Sequence, residues 1–328
     1  RLQIRQIGSQ FYRQQSLNIV PVRWKSYRAA ILEEFDKPLV VANIKNKTPL
    51  GTSMVRMSVD FCSLNLADVN KLSSKNKDDS LLPTIPGCEF SGEVTEVGDF
   101  VVENIKKGDK VVALLAHDHQ IAGGLAEEAV VPEVDCFNCG TVSTRDAAVL
   151  VKGHGTAFLA FTKYCELKEN DIVIVLAGPA GNGLAAIQMA KNVFKAKVYV
   201  ICDTDDTTNL IRDEGAHKSI SVKEGLRKVY KFFQDALKDR KAKLVYDAVG
   251  DGLMYVAADF VDPEKGQFIT VDAAYDFSTF SSTKPKEDFR NKTFGLDEIN
   301  EAVKFIKEKK CTGKVLIDVK QKSAQKNE

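Results

Sequence analysis

Residues 172–191 read Ile-Val-Ile-Val-Leu-Ala-Gly-Pro-Ala-Gly-Asn-Gly-Leu-Ala-Ala-Ile-Gln-Met-Ala-Lys. The run begins with five β-branched or apolar residues, breaks at a glycine-rich turn, and continues as an Ala-rich pattern typical of a helix. This order predicts a strand, a tight turn and the start of a helix. Such an arrangement directs backbone N–H groups and the helix dipole at a phosphate.

The turn resembles the dinucleotide-binding pattern Gly-x-Gly-x-x-Gly, with one departure. Gly178 and Gly183 hold the first and third glycine positions, but Ala180 holds the middle one, and Gly181 and Asn182 complete the turn. The middle glycine normally lets the backbone approach the pyrophosphate closely, so a methyl group there opposes that approach. The turn still predicts a cofactor site in which all five residues take part.

An acid follows the second apolar run, 197–202, at the position where a dinucleotide fold holds the adenosine ribose. This acid, Asp203, favours NADH, because its charge would repel the 2′-phosphate of NADPH. Asp205 and Asp206 add to that negative field, and the nearest base is Arg212. The alternative is that these acids cap the helix that follows.

The composition is that of an ordinary globular protein. The chain has 328 residues, of which 44% are apolar and 28% charged, and its net charge is +1. The length predicts about two domains. Near-neutral charge gives no reason to expect nucleic acid as a partner, and no apolar run is long enough to span a bilayer.

Seven cysteines are scattered along the chain, at positions 62, 88, 136, 139, 165, 202 and 311. An odd, dispersed set does not indicate a disulfide framework and fits a reducing compartment. Cys136 and Cys139 have the spacing of a redox pair or of half a zinc site. Since no second close pair of Cys or His follows, we interpret them as two small residues in a loop.

The N-terminal segment, 1–26, differs from the rest. The first 32 residues contain six basic residues (Arg1, Arg5, Arg13, Arg23, Lys25 and Arg28) and no acid, and Ile4, Ile7 and Phe11 fall at helical spacing. An amphipathic, Arg-rich, acid-poor segment predicts a mitochondrial transit peptide, and hence a location in the mitochondrial matrix. The alternative is a merely basic N-terminus.

Two patterns of secondary structure follow one another. Short strands separated by turn residues are predicted at 29–32, 39–41, 54–59, 92–97, 110–115 and 126–131, then a helix at 144–165. From 171 strands alternate with helices, which predicts a parallel sheet: strands 172–176, 198–202, 219–222, 244–248 and 267–271 with helices 183–194, 206–214 and 223–238. A loop at 275–294, a closing helix bearing Ile299 and Val303, and a strand at 314–319 complete the prediction.

Several further motifs occur in a fixed order. They are Pro86-Gly87-Cys88-Glu89-Phe90-Ser91-Gly92, Val97-Gly98, Lys107-Gly108-Asp109-Lys110-Val111, Gly123-Gly124-Leu125-Ala126-Glu127, Val131-Pro132, Gly155-Thr156-Ala157, Asp247-Ala248-Val249-Gly250 and Thr312-Gly313-Lys314-Val315. Together they resemble the medium-chain dehydrogenase/reductase superfamily, in its zinc-free quinone oxidoreductase branch. The resemblance covers residues 27–320.

The resemblance implies an α/β fold in two parts. A β-rich GroES-like substrate domain would occupy 27–150, and a Rossmann-type doubly wound parallel sheet 151–275, with 294–320 returning to the first domain. Thr156 and Gly250 would join the glycine turn in binding NADPH or NADH. About fifty family residues are absent between Ala273 and Phe294, which predicts a shortened sheet and casts doubt on the usual edge of a homodimer.

The resemblance also directs attention to Asn65 and Asp68, which match the Asn-x-x-Asp of zinc-free quinone reductases. The Asn65 amide would donate to a carbonyl oxygen of nicotinamide or substrate, and Asp68 would hold the loop; the alternative is a local Asx-type turn. Zinc-dependent relatives place metal ligands at the positions of Asn65 and Cys88. Asn is a poor zinc ligand, and a set of Cys62, Cys88 and Glu89 lacks histidine, so no zinc is expected.

The function predicted is zinc-independent, NAD(P)H-dependent reduction of quinones or α,β-unsaturated carbonyls by hydride transfer. Two alternatives stay open. A degenerate family member could act as a nucleotide-binding sensor or scaffold, an interpretation favoured by Ala180 and by the shortened sheet. A zinc alcohol dehydrogenase is the other alternative.

Overall fold

The structure, a computed structural model, describes residues 26–45, 49–73, 82–102, 105–115, 123–177, 181–202, 205–249, 254–271, 292–308 and 313–321. Several predictions fall outside these residues. They concern the transit peptide up to residue 25, most of the loop at 275–294, and the cofactor positions Gly178, Ala180, Asp203 and Gly250.

The first part of the chain is rich in antiparallel strands. They are β1 (Tyr27–Ile31), β2 (Val40–Ile44), β3 (Met54–Leu64), β4 (Glu89–Val97), β5 (Lys110–Leu114), β6 (Glu128–Pro132) and β7 (Cys136–Asn138). A short helix, α1 (Leu66–Lys71), follows β3. β1 and β2 form a hairpin sheet of their own, and the others belong to one larger sheet together with two strands from the end of the chain.

The long strand β3 organises the larger sheet. One edge of β3 pairs with β4 along most of its length, with a register shift between Val59 and Phe61. On its other edge, Met54 to Ser58 pair with β6 and Phe61 to Leu64 pair with the C-terminal strand. A single 11-residue strand therefore brings the end of the chain against the loop that follows Leu64.

A nearly continuous helical run connects the two parts of the protein. It comprises α2 (Thr144–Leu150), a π-helical turn at Val151–Gly155, α3 (Thr156–Leu159) and a second π-helical turn at Ala160–Tyr164. Ser143 caps α2, because its Oγ accepts a hydrogen bond from the backbone N–H of Asp146 at 3.1 Å. The predicted helix at 144–165 is thus present, with two widened turns.

The second part of the chain is a parallel sheet. Its strands are β8 (Ile172–Ala177), β9 (Lys197–Cys202), β10 (Lys218–Ser221), β11 (Leu244–Asp247) and β12 (Gln267–Thr270), and within the described residues their order is β10-β9-β8-β11-β12. All these strands run parallel, but the order in which the chain adds them reverses at β8: β9 and β10 lie on one side of it, and β11 and β12 on the other. Open sheets of this type bind ligands in the crevice beyond the carboxyl ends of the strands at that point.

Helices cover both faces of this sheet, as a doubly wound fold requires. They are α4 (Gly181–Asn192), α5 (Asp205–Asp213), α6 (Leu226–Leu237) and α7 (Met254–Ala258). On one face, Phe161 and Ile187 pack against Tyr246 of β11, and on the other Phe233 packs beneath Val245 of the same strand. Alternate residues of one strand therefore contribute to two separate cores.

The C-terminal segment returns to the β-rich part. It contains β13 (Thr293–Gly295), α8 (Ile299–Lys307) and β14 (Val315–Asp318), where β13 pairs parallel with β14 and β14 pairs antiparallel with β3. The predicted α/β fold class, a β-rich unit combined with a Rossmann-type sheet, is confirmed. No helix in the described part of the chain is long and apolar enough to cross a membrane.

Two element predictions need correction. The predicted helix at 223–238 begins later, at Leu226, because Gly225 adopts φ +88° and separates it from a 3₁₀ turn at Val222–Glu224. The predicted loop at 275–294 ends early, since Thr293 already belongs to β13. The short elements α1, β7 and α7 carry too little sequence pattern to be predicted.

Candidate active site

The start of α4 has the backbone geometry that the glycine turn predicts. Gly181, its first residue, has φ +68°, and a Cβ added there would meet no atom within 4 Å. Gly183 lies two residues further, where an added Cβ would come 2.5 Å from the Cβ and 2.9 Å from the Cα of Ala177 in β8. Gly183 therefore permits close packing of helix on strand, which is the role of the third glycine in a dinucleotide turn.

A cleft of about 240 Å³ lies beside this helix. Its walls combine the connecting helical run, α4, the end of α5 and the segment just before β14. The lining residues are Val149, Leu150, His154, Gly181, Leu184, Ala185, Gln188, Leu210, Glu214, Gly313 and Lys314. The cleft thus extends from the start of α4 to Lys314, which contacts Asn65 and Glu89 of the β-rich part; these three residues form a polar cluster.

Asp68 holds the loop after β3 in place. Its carboxylate accepts a hydrogen bond from the backbone N–H of Asn65 at 2.9 Å, which caps α1, and another from the backbone N–H of Cys88 at 3.1 Å. The side chain is 3% exposed. Asp68 therefore both caps a helix and fastens the Asn65 loop to the Pro-Gly-Cys-Glu segment.

Asn65 lies in a cluster with Lys314 and Glu89. Lys314 Nζ donates to Asn65 Oδ1 at 2.7 Å and to Glu89 Oε2 at 3.0 Å. Asn65 Nδ2 donates to the same Glu89 oxygen at 3.2 Å and, more weakly, to the backbone carbonyl of Ser63 at 3.4 Å. Glu89 is 0% exposed and Lys314 11%, so this ion pair lies inside the protein at the edge of the cleft.

Lys152 completes the cluster from the connecting helical run. Its backbone N–H donates to Glu89 Oε1 at 2.7 Å, so both carboxylate oxygens of Glu89 are bonded. Its Nζ lies 3.7 Å from Cys88 Sγ, which is also 3.7 Å from a carboxylate oxygen of Asp68. Burial, reinforced by the negative charge of Asp68, raises the pKa of the Cys88 thiol to about 12.

The donors gathered here do not fit a zinc site. The Asn65 amide oxygen faces an ammonium group, and a zinc ion bound there would meet the positive charge of Lys314. Among the described residues, no group of three or more His, Cys, Asp or Glu side chains is placed to hold a metal ion. Cys62 is buried nearby, and desolvation raises the pKa of its thiol well above the usual value.

Two other predicted site residues have local partners. Thr156 Oγ1 donates to the carbonyl of Lys152 at 2.5 Å, so its hydroxyl lies against the helix backbone. Asn182 stands in the first turn of α4. Arg212, the base nearest the predicted ribose site, donates from Nε to Ser219 Oγ at 3.1 Å.

No sequence pattern indicates a role for three further residues of this site, Lys314, Lys152 and His154. Lys314 belongs to a recognised motif but had no assigned role, and Lys152 lies in no motif. His154 lines the cleft, with Nε2 3.0 Å from Gln188 Oε1, and Gln188 Nε2 donates to Glu214 Oε2 at 2.6 Å. None of these contacts is close in sequence, so residue spacing could not reveal them.

Cys136 and Cys139 are both buried, Cys136 at the start of the edge strand β7. Burial raises the pKa of Cys136 to about 12. A reactive thiol of a redox pair has a depressed pKa, whereas the pKa of Cys136 is raised, so this pair lacks the reactive thiolate of a redox site.

A β-rich unit joined by a helical run to a doubly wound parallel sheet is the architecture of medium-chain dehydrogenases/reductases. The model of the alcohol dehydrogenase GroES-like domain matches residues 51–175. A putative NADPH:quinone reductase from Bacillus thuringiensis shares the fold, with a TM-score of 0.74 and 18% identity over 90% of this chain and 99% of the other.

Sequence relatives give a finer assignment. A quinone oxidoreductase-like protein 2 homolog from Nematostella vectensis is 30% identical over 97% of this chain and 96% of its own length. Quinone oxidoreductase-like protein 2 of Mus musculus is 28% identical over 90% of this chain and 93% of its length. The chain therefore belongs to the oxidoreductases of the medium-chain dehydrogenase/reductase superfamily, in the group of quinone oxidoreductase-like protein 2.

Proposed function

We propose that the protein is a zinc-independent, NAD(P)H-dependent reductase of quinones or α,β-unsaturated carbonyls. One observation carries the proposal. A single cleft connects Gly181, at the start of α4, with Lys314, which contacts Asn65. A nucleotide at the helix start and a carbonyl compound near Asn65 would then share one site. The names of the sequence relatives support quinones as the substrate class.

The start of α4 fits a nicotinamide dinucleotide. The open space at Gly181 leaves room for a phosphate at the helix N-terminus, where backbone N–H groups and the helix dipole favour an anion. When bound, the cofactor supplies the hydride. Asp203 favours NADH, whereas most of the branch prefers NADPH, so both nucleotides belong to the proposal.

The rest of the cleft suits a flat, largely apolar carbonyl compound. Leu150, Leu184 and Leu210 give it apolar walls, and Lys314 provides a charged end. Ligand sites of this kind combine apolar surface for affinity with a few polar groups that set orientation. The proton that completes reduction can come from water, so the reaction needs no separate general acid.

The test has two stages. Thermal shift measurements with NADH and with NADPH should each be made on the wild type, on Ala180→Gly and on Asp203→Ser. We expect at least one nucleotide to raise the melting temperature, Ala180→Gly to tighten binding, and Asp203→Ser to move preference towards NADPH. Turnover is then followed by the loss of reduced-nucleotide absorbance with a benzoquinone, a naphthoquinone and an enone.

Each outcome separates the proposal from its alternatives. If neither nucleotide at millimolar concentration raises the melting temperature, the reductase proposal fails. A thermal shift without turnover of any acceptor would indicate a nucleotide sensor instead. Stoichiometric zinc in the purified protein, together with alcohol oxidation, would indicate an alcohol dehydrogenase.

The cellular location and the oligomeric state of the protein are proposed from its sequence alone. We propose a mitochondrial protein on the basis of the basic, acid-poor N-terminal segment. Fluorescence of a fusion carrying residues 1–26 tests import, and sedimentation of the purified protein tests whether it forms a homodimer.

A further inference from the structure

We propose that Lys314 is a catalytic residue whose ammonium group donates a hydrogen bond to the substrate oxygen that becomes negatively charged during reduction. The proposal rests on the proposed reductase function and names the group that stabilises its transition state. In this role the ammonium group supplies the positive charge that a metal ion supplies in zinc-dependent relatives.

The position of Lys314 satisfies the first requirement, which is access to both substrate and cofactor. Lys314 lines the cleft that also contains Gly181 at the start of α4. Its Nζ contacts Asn65 and Glu89. Asn65 and Cys88, which precedes Glu89, hold the positions that resemble the metal-ligand positions of zinc-dependent relatives. A cation at this point faces the predicted substrate site.

The second requirement is that the charge is held in place before the reaction. Glu89 is fully buried and accepts hydrogen bonds from Lys314 at 3.0 Å and from the Lys152 backbone at 2.7 Å. Asn65 Oδ1 holds the same ammonium at 2.7 Å. Groups oriented in advance stabilise a developing charge without reorganisation, and they act most strongly where water is excluded.

The neighbouring polar groups are less suited to the role. The Asn65 amide donates to the Glu89 carboxylate and the Ser63 carbonyl, both within the cluster, and Asn65 is not among the residues that line the cleft. Lys152 directs its Nζ at Cys88 Sγ and is not among the residues that line the cleft. Among the described residues, Lys314 is the cation that both belongs to the polar cluster and lines the cleft.

The chemistry balances without a further reactant. A hydride, with its two electrons, forms a C–H bond at the electrophilic carbon of the enone or quinone. The π electrons of the conjugated system move to the carbonyl oxygen, which becomes an enolate; in the quinone case the ring C–H proton later moves to the second carbonyl oxygen to give the aromatic hydroquinone. Lys314 stabilises that oxygen through an N–H···O⁻ hydrogen bond, and water then delivers the proton that gives the neutral product.

The experiment compares four forms of the full-length protein. Lys314→Arg keeps the charge, and the double variant Lys314→Met with Glu89→Gln removes both members of the buried pair, so that no carboxylate is left unpaired. Lys304→Met is the control, since Lys304 is a surface lysine in an exposed i,i+4 pair with Glu308. Circular dichroism and the melting temperature establish that each form is folded.

The first measurement does not depend on turnover. 4-Nitrophenol changes its absorbance when it ionises, so a titration reports the pKa of the bound molecule. We expect the wild type and Lys304→Met to lower that pKa by about one unit or more, Lys314→Arg to keep part of the shift, and the double variant to lose it. An equal shift in the double variant would overturn the proposal.

The second measurement is the rate of hydride transfer at saturating nucleotide and quinone. We expect the double variant to be about 100-fold slower, Lys314→Arg to be intermediate and Lys304→Met to match the wild type. If the double variant loses nucleotide affinity while its rate at saturation is unchanged, Lys314 binds the cofactor and the proposal is wrong. A wild type that reduces no acceptor rejects the proposed function, while a nitrophenol shift that depends on Lys314 would still support the oxyanion contact.

Discussion

The start of the parallel sheet and the polar cluster across the cleft are built by different means. At the sheet, β8 and α4 approach closely because Gly183 has no side chain, and the contacts come from residues a few positions apart. In the cluster, Asn65, Glu89 and Lys314 come from three distant segments and are joined by charge and hydrogen bonds. The first region depends on the missing side chain of Gly183, and the second depends on buried hydrogen bonds and an ion pair.

The difference predicts how each region fails. A substitution at the close approach acts through volume, so its effect depends on the space around the new atom. A substitution in the buried cluster acts through the charge that it leaves without a partner, so a second substitution can relieve it.

The largest effect is expected at the buried ion pair. Lys314→Met leaves the fully buried Glu89 carboxylate without its ammonium partner, which should lower the free energy of unfolding by about 3 kcal/mol. Adding Glu89→Gln should restore most of that loss, because the second substitution removes the unpaired charge. Urea unfolding of both single variants and of the double variant measures the coupling between the two residues.

The outcome of this cycle bears directly on the comparison. Additive effects of Lys314→Met and Glu89→Gln would show that the two side chains act independently, and that volume rather than charge holds this region together.

The two regions also differ in how far the sequence predicts them. The strand, turn and helix at 172–191 are local, so periodicity and glycine spacing predicted them directly, and the structure has β8 and α4 there. The loop of Asn65 and Asp68 is indicated only by its resemblance to the Asn-x-x-Asp motif of the family. The contacts of Lys314 depend on β14 pairing with β3, and those of Lys152 depend on the path of the connecting helical run. Both are contacts between distant segments, which residue spacing does not predict.

A smaller effect is expected at the close approach. Gly183→Ala places a methyl group 2.9 Å from the Cα of Ala177, so α4 must move away from β8, and we expect a loss of about 2 kcal/mol in the free energy of unfolding. The shift of the helix start should also weaken nucleotide binding. Chemical unfolding and nucleotide titration measure the two consequences.

Gly155→Ala is the matched control for this change. Gly155 already has helical dihedral angles, φ −62° and ψ −43°, and an added Cβ would meet nothing within 4 Å. The same substitution should therefore be neutral or stabilise by about 0.5 kcal/mol. If both variants lose the same stability, the effect comes from the backbone and not from the helix–strand contact.

The smallest effect is expected for the alkylation of Cys88, next to the polar cluster, by a thiol reagent near neutral pH. The Cys88 thiol, with its pKa near 12 instead of 9.0, has a thiolate fraction of only about 10⁻⁴ at pH 8, and the thiolate is the reactive form. Mass spectrometry after brief alkylation should find Cys88 almost unmodified in the folded protein and fully modified in denaturant. Between pH 8 and 11 its rate of modification should rise about tenfold per unit.

The same pKa has a consequence for stability, and its sign follows from proton binding. Above pH 9 the unfolded chain loses the Cys88 proton while the folded chain keeps it, so the free energy of unfolding should fall as the pH rises towards 12. Below pH 9 both states keep the proton, so the contribution of this group to stability no longer changes with pH. Rapid alkylation of Cys88 at pH 8 would mean that the loop of Asp68 opens readily. The buried cluster would then be less firmly held than the packed start of the sheet, because hydrogen bonds that exchange with water give it less protection than close packing gives α4.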